Sequence, residues 1–255
     1  MLPYFFLAVR LAMPAAVVAP ADTIFLEVGS PQVNGTLFQP HAARVRVYAA
    51  DGTTLTGDWT NELSLGDSAG RKVMRWVTTS NPIPALPNRV LNVLRQTYDA
   101  VTLAPYGYNS QASNGAYIRL ALNGKKVTGV RRTAADTAER VVSIELDRPG
   151  FVVGASDLVP LAAGMKMGEV MVAPMWGPNM TRTEDRVFTV VRDTVVHVEG
   201  TAQKSRVVTE HRRADRTLTA TWYLTFESPY MVYGEVPLPN GGVQRMTEVP
   251  VPMRK

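Results

Sequence analysis

The residues of this chain best suited to acid–base or metal chemistry are its three histidines, His41, His197 and His211. A hydrolytic triad needs a nucleophile, a base and an orienting carboxylate, and two carboxylates, Glu210 and Asp215, lie near the last histidine in the sequence. Successive residues of a strand point to opposite faces, so Glu210 should point away from His211. We interpret this group as a solvated strand end and not as a catalytic cluster.

Motifs for other chemistry are also weak. The histidine spacing does not match a metal-ligand pattern, and no nucleophile elbow is expected. Asn123-Gly124-Lys125 suits a hairpin turn better than a phosphate-binding loop. Paired carboxylates for glycoside chemistry stay open, because acidic residues are scattered along the chain and nothing selects a pair. The sequence therefore predicts a protein that is not an enzyme, with no catalytic residue, no metal ligand and no cofactor.

A group of methionines is the remaining candidate for ligand chemistry. Met165, Met167 and Met171 share one strand parity, so a strand through them would place three thioethers on one face, with Met175 just beyond. Thioethers bind Cu(I), but methionine more often fills irregular gaps in cores and at adaptable surfaces. We interpret the group as core packing. A pliable surface for a lipid or a partner, and a copper site, are the alternatives.

Composition excludes several classes of protein. The chain has 255 residues and no cysteine, which excludes disulfides, thiolate metal sites and a cysteine nucleophile. A chain of this length buries a core large enough to fold without cross-links. The formal charge of +5 is mild and the basic residues are dispersed, so no nucleic acid partner is expected.

Residues 1–21 form an apolar segment without an acidic residue. The run after Arg10 is far shorter than the ~20 residues of a spanning helix, and Ala19-Pro20-Ala21 has the small-residue form of an export-signal cleavage site. The alternative is a retained segment that contacts a membrane surface or a membrane protein complex. We therefore expect a periplasmic, membrane-associated protein, and the candidate contact residues of the segment are Tyr4, Phe5, Phe6, Leu7 and Leu11.

The rest of the chain alternates between apolar and polar residues and predicts an all-β fold. Asp51-Gly52 and Asn123-Gly124 each lie between alternating segments and suit hairpin turns, the second of type I′. Ser156–Gly164 breaks the alternation and suits a single helical turn. More than about a third of the residues should be strand and under about 15% helix, against the averages of globular proteins.

We divide the chain into a β segment at 22–80, a proline-rich strap at 81–97 and a main antiparallel β domain at 98–255. The two β parts should form one continuous unit. Strands this numerous have to curve or pack face to face, because open edges invite association. The expected architecture is therefore a set of antiparallel curved sheets that form a half-barrel or a β-sandwich, with little helix.

Strand parity also predicts which side chains face inwards. Two tyrosines, Tyr106 and Tyr108, lie among residues typical of turns and should form an exposed loop that contacts a partner. Six apolar residues on two strands should be buried: Ile118, Leu120, Leu122, Trp222, Leu224 and Phe226.

Four stretches occur in order along about residues 40 to 250: a strand that ends in Leu103-Ala104-Pro105, a hairpin with Lys126-Val127-Thr128-Gly129, a segment that ends in Val159-Pro160-Leu161, and a closing hairpin at 230–242. Together they resemble a family of exported bacterial all-β proteins that is known only as a domain of unknown function. The resemblance implies an extracytoplasmic curved sheet or half-barrel. It implies no catalytic residue.

Two classes of function remain. The first is a non-enzymatic interaction or scaffold protein that docks on a membrane protein complex from the periplasmic side, for example as an accessory subunit of a respiratory or photosynthetic assembly. The alternative is a periplasmic carrier or sensor that binds a lipid or another apolar ligand in a half-barrel. A carrier needs an apolar cavity of several hundred Å³. A docking protein should instead have a fully packed interior and an exposed binding surface.

Overall fold

The computed structural model describes residues 23–253, and strands make up 56% of these residues. One α-helix, α1 (Leu158–Ala162), and two short 3₁₀-helices, Gly35–Leu37 and Val153–Ala155, are the helical elements of this part. The all-β class with little helix is therefore confirmed. The strands are β1 (Thr23–Phe25), β2 (His41–Tyr48), β3 (Leu55–Ser68), β4 (Arg71–Ser80), β5 (Asn92–Asp99), β6 (Pro105–Ala112), β7 (Tyr117–Asn123), β8 (Lys126–Arg132), β9 (Arg140–Glu145), β10 (Phe151–Val152), β11 (Val170–Trp176), β12 (Glu184–Val198), β13 (Thr201–Arg212), β14 (Leu218–Leu224), β15 (Met231–Pro237) and β16 (Val243–Val251).

All these strands belong to one open sheet. Its order is β1-β11-β12-β13-β14-β15-β16-β2-β3-β4-β5-β6-β7-β8-β9, and β10 also pairs with β11. Neighbours run antiparallel except β1 and β10, which are both parallel to β11. The pairing of β16 with β2 brings strands from 22–80 and 98–255 into the same sheet. The connection between β4 and β5 covers only residues 81–91, because β5 begins at Asn92, inside the strap expected at 81–97.

The sheet curves around the single helix. All five residues of α1 are buried, and all but Pro160 share one hydrophobic core with Leu63 of β3, Met74 of β4 and Phe188 of β12. These strands lie in different halves of the sheet, so core side chains from both halves converge on one side. We call this side the inner face. The helix therefore lies on the inner face, in the segment where strand alternation failed. We call residues 153–162, which comprise the second 3₁₀-helix, the link to α1 and α1 itself, the plug.

Both predicted hairpin turns are present. Asp51-Gly52 lies between β2 and β3, where the Asp51 carboxylate accepts hydrogen bonds from the backbone N–H of Thr53 at 2.9 Å and Thr54 at 2.8 Å. The turn between β7 and β8 has a positive φ, of 59°, only at Gly124. Glycine at the first central position is the requirement of a type II′ turn, so the expected type I′ turn is wrong.

Three other expectations are wrong. Tyr106 and Tyr108 lie in β6 and not in a loop. Phe226 is 56% exposed, because β14 ends at Leu224 and the chain turns before the alternation reaches the phenylalanine. Met167 is 48% exposed because the strand that was to align the methionines begins only at Val170.

The remaining core expectations are confirmed in large part. Leu120, Leu122 and Leu224 are buried. Ile118 and Trp222 are partly buried and pack against the same core. Three of the four methionines, Met165, Met171 and Met175, are buried in the core, and Met167 is exposed.

Candidate ligand cavity

A cavity of about 190 Å³ lies between the plug and the middle of the sheet. The plug contributes Gly154 and Asp157, and the sheet contributes residues of β2, β3, β4, β14, β15 and β16. Because these strands are neighbours around the β16–β2 pairing, the cavity brings together residues from both ends of the chain. The lining residues are Val45, Trp59, Asn61, Trp76, Thr78, Gly154, Asp157, Trp222, Met231, Met246 and Glu248.

Three of the chain's four tryptophans line this cavity. Hydrogen bonds orient two of them. The Trp76 indole N–H donates to Oγ1 of Thr78 at 3.2 Å, and the Trp222 indole N–H donates to a Glu210 carboxylate oxygen at 2.9 Å. Two of the three tryptophans that line the cavity therefore already donate their indole N–H groups to other side chains of the protein.

Two carboxyl groups lie in the same cavity. Glu248 is 3% exposed and accepts a hydrogen bond from the Asn61 side-chain amide at 3.1 Å. Burial, with a smaller contribution from repulsion by Asp157, raises the pKa of Glu248 to about 8, and the hydrogen bond from Asn61 opposes this rise. Burial also raises the pKa of Asp157 to about 7, with a contribution from the charge of Glu210. Each carboxyl therefore lacks the environment that would stabilise its charge.

A third buried carboxylate, Glu210, is matched within the protein. The Arg186 guanidinium lies 3.6 Å from one of its oxygens, and the Trp222 indole bonds the other. Within residues 23–253, neither Asp157 nor Glu248 has an ion pair of this kind. The cavity therefore carries two carboxyls without a basic counterpart.

Two further polar groups lie behind the plug without a partner. The Gln96 side-chain nitrogen and the Tyr98 hydroxyl are buried and make no hydrogen bond. A Cβ atom at Gly154 would lie 2.9 Å from the Gln96 side-chain nitrogen, so a larger residue here would displace the Gln96 amide. Burial holds the pKa of Tyr98 well above its usual value, and the Asp157 charge adds to this effect. Buried donors without a partner are uncommon in folded proteins, and the Gln96 amide lies next to Gly154, which lines the cavity.

The structure places His41 and His211 in different environments. His41 is buried between the rings of Trp76 and Tyr230, at centroid distances of 6.1 and 5.2 Å, and burial lowers its pKa. Glu210 is buried while His211 is partly exposed, as strand alternation predicts. Within the described range, no group of three or more histidine, aspartate or glutamate side chains could hold a metal ion.

The chain does contain one Gly-x-Ser-x-Gly pattern, at Gly66–Gly70, which the expectation of no nucleophile elbow did not take into account. Ser68 is the last residue of β3, and Ala69 and Gly70, with φ of 49° and 75°, form a tight hairpin turn into β4. A nucleophile elbow instead joins a strand to a helix. The pattern here is therefore a β-hairpin.

The predicted contact residues Tyr4, Phe5, Phe6, Leu7 and Leu11 lie outside the described residues. The Tyr106 hydroxyl donates to Asp99 at 2.9 Å, and Tyr108 packs against the core. The expected exposed loop is therefore wrong, while a role of either tyrosine in partner binding stays a prediction.

Sequence reasoning missed Asp157 and Glu248. Asp157 lies in the segment that was expected to form a helical turn, and it precedes α1 without making a capping hydrogen bond. Glu248 pairs with Val45, an inward-facing position of β2. A glutamate at an inward parity is a usable signal, but it requires the β16–β2 register, which joins segments almost 200 residues apart.

The outer face of β4–β9 has a different character. Arg75, Arg95 and Arg119 line a groove of about 640 Å³ whose floor is made of small residues such as Gly107 and Ala121. Within residues 23–253 none of the three arginines forms an ion pair. We call this groove and its arginines the outer basic face.

An apolar side chain and a carboxylate lie beside the arginines of the outer basic face. Val141, which is 82% exposed, follows in the same row of paired residues as Arg95 and Arg119. Glu62 pairs with Val77 beside Arg95 and is a carboxylate on this face. The face is therefore basic on balance, with an apolar side chain at its border.

No helix within residues 23–253 has the length and apolar character needed to cross a membrane. No family model matches the chain. A search of curated proteins also gives no match.

Among solved structures, the chain is similar to a β-barrel-like protein of the domain of unknown function DUF1849 from Brucella abortus. The two chains share 12% identity with a TM-score of 0.47, over 83% of this chain and 95% of the other. The chain is thus similar to an all-β protein of unknown function, and the function proposed below rests on the cavity and not on this likeness.

Proposed function

We propose that this protein is a non-enzymatic periplasmic binding protein, a carrier or a sensor, that holds a small ligand between the plug and the inner face of the sheet. The observation that carries the proposal is the cavity itself, in which tryptophans surround Asp157 and Glu248 without a basic partner. Polar groups inside proteins are normally paired, and binding sites are where apolar walls and a few oriented polar groups meet.

The volume limits the ligand. A cavity of about 150 Å³ holds a benzene-sized molecule, and drug-sized ligands need about 300–1,000 Å³. The cavity of about 190 Å³ therefore favours a ligand with few heavy atoms over a lipid acyl chain. The sequence led us to expect a lipid or another apolar ligand for a carrier. From the cavity we propose a ligand that is smaller and partly polar.

Tryptophan fluorescence tests the proposal. Trp59, Trp76 and Trp222 line the cavity, while Trp176 is fully buried elsewhere in the core. A ligand in the cavity should change the emission and raise Tm together, since a ligand that binds only the folded state stabilises it. Screening a library of small polar metabolites should give such hits. A library without a compound that changes both readouts would contradict the proposal.

Docking on a membrane is the second candidate, and the outer basic face favours it. Each basic residue near an anionic membrane contributes about 1 kcal/mol, so Arg75, Arg95 and Arg119 together offer about 3 kcal/mol. Exposed Val141 at the border of this face adds an apolar contact. We propose this role beside ligand binding, because the two sites lie on opposite faces of the sheet.

Vesicle sedimentation tests the docking role. Wild-type protein should sediment with vesicles that contain phosphatidylglycerol and not with phosphatidylcholine alone. The R95E/R119E variant should bind at least ~10-fold more weakly, since two attractions become repulsions. Arg192→Glu, an exposed arginine of β12, is the matched control and should bind as wild type does. Equal binding of the two variants would remove the second candidate.

A further inference from the structure

We infer that the ligand of the cavity is a small organic cation, an alkylated ammonium group that binds between the carboxyls of Asp157 and Glu248 and against the tryptophan walls. The inference rests on the proposed function and names the chemical class of its ligand. Charge, wall chemistry and size each contribute to it.

The site contains more carboxyl groups than basic groups. Three carboxyls, Asp157, Glu210 and Glu248, interact with one another across the cavity and its wall. Within residues 23–253, the ion pairs of these carboxyls are limited to the one between Glu210 and Arg186 at 3.6 Å, and Arg186 also pairs with Glu184 at 3.1 Å. A buried charge without a partner is costly, so a bound cation supplies what the protein leaves out.

The walls select the kind of cation. Trp59, Trp76 and Trp222 line the same cavity as the carboxyls, and tryptophan is the side chain that attracts cations best through its ring face. Recognition of alkylated ammonium groups by aromatic walls is the common use of this attraction. Met231 and Met246 add deformable apolar surface for the alkyl substituents.

A metal ion fits the same site poorly. Hard divalent cations need six or more oxygen ligands or keep several waters. The cavity offers two carboxyls, and its other polar side chains, Asn61 and Thr78, are already hydrogen-bonded to each other. An organic cation with few heavy atoms also fits the volume of about 190 Å³. The size and lining therefore agree with the charge.

Affinity should depend on pH, because the cation needs ionised carboxyls. The other titratable or charged groups around the pair are Glu210 from β13, Arg186 from β12, His41 from β2 and Tyr98 from β5. Arg186 offsets Glu210. Burial lowers the pKa of His41 and raises the pKa of Tyr98, which keeps both neutral near pH 7–9.

The probe is choline, and its control is the neutral isostere in which a tert-butyl group replaces the trimethylammonium group. Calorimetric titration at about pH 9 should show that choline binds at least ~10-fold more tightly than the isostere. At about pH 6 only about 1% of a carboxyl with a pKa of about 8 is ionised, so choline should bind about 100-fold more weakly there. The isostere should not change with pH.

Two variants locate the effect. Glu248→Gln should reduce the pH dependence of choline binding to the smaller part that Asp157 contributes and leave the isostere unaffected, and Asp157→Asn should weaken choline in the same selective way. Both keep side-chain size, and Tm reports whether they fold. Trp222→Phe, which keeps an aromatic ring of weaker attraction, should weaken choline moderately without changing its pH dependence.

The outcomes separate this inference from the proposed function. If the isostere or another neutral compound binds and choline, tetramethylammonium and butylammonium do not, the cavity is a ligand site and the cation inference alone is wrong. Binding of choline that ignores pH and survives Glu248→Gln would also overturn it. If neither these cations nor any compound of the fluorescence library binds, both the inference and the proposed function are wrong.

Discussion

Glu248 should make the empty protein less stable as pH rises. Its pKa is raised by burial from 4.5 to about 8 in the folded state, while the unfolded chain releases the proton near 4.5. The folded state therefore binds more protons between these values, and stability falls with pH across this window. One pKa unit corresponds to about 1.4 kcal/mol, so ionisation of Glu248 should cost roughly 3–5 kcal/mol above pH 8.

The Glu248→Gln variant removes this cost. Glutamine keeps the carbonyl oxygen that accepts from Asn61 and has no charge to bury. The variant should match wild type near pH 5 and exceed it by roughly 3–5 kcal/mol near pH 9, with Asp157 leaving a smaller slope in both proteins.

Urea denaturation across this pH series measures the difference. Glu27→Gln, at an exposed glutamate of the connection after β1, is the control and should follow wild type at every pH. If Glu248→Gln and wild type lose stability in parallel, the carboxyl is not buried as described and the reasoning fails.

Three further outcomes are expected. Leu120→Ala should cost ~2–5 kcal/mol of unfolding free energy, as core truncations do, while Val141→Ala at an 82% exposed position should change it by under about 0.5 kcal/mol; equal effects would mean that the β7 register is wrong. Tyr98→Phe removes a buried hydroxyl without a partner and should leave stability unchanged or higher in urea denaturation. Tyr230→Phe removes a hydroxyl that accepts from the Gln39 N–H at 2.6 Å and should cost ~1–2 kcal/mol; a larger loss for Tyr98→Phe would show that its hydroxyl is bonded.

Much of the fold could be predicted from the alternation of apolar and polar side chains, because the burial of every second residue of a strand is a local property of the sequence. The segments around Asp51-Gly52 and Asn123-Gly124 formed hairpins, and Leu120 and Leu122 are buried on the predicted face. The single helical turn also formed where alternation failed, at α1.

The errors come from strand ends, which alternation does not determine. Phe226 has the right parity, but β14 ends at Leu224 and the next residues turn. Tyr106 and Tyr108 follow turn-forming residues and yet belong to β6, because cross-strand pairing with β5 and β7 outweighs the local preference.

Local sequence patterns could not predict the candidate site. It requires the register of β16 on β2, which places Glu248 opposite Val45, and the position of the plug, which brings Asp157 to the same cavity. Neither carboxyl lies in a recognisable motif. Only their convergence inside one curved sheet gives them a shared chemistry.

A crystal structure of the protein soaked with choline at about pH 9 would locate the ligand. Choline should give electron density in the cavity, with its ammonium group between the carboxyls of Asp157 and Glu248 and within about 6 Å of a tryptophan ring centroid. An empty cavity, or choline bound only at another surface while solution binding is saturated, would contradict this expectation.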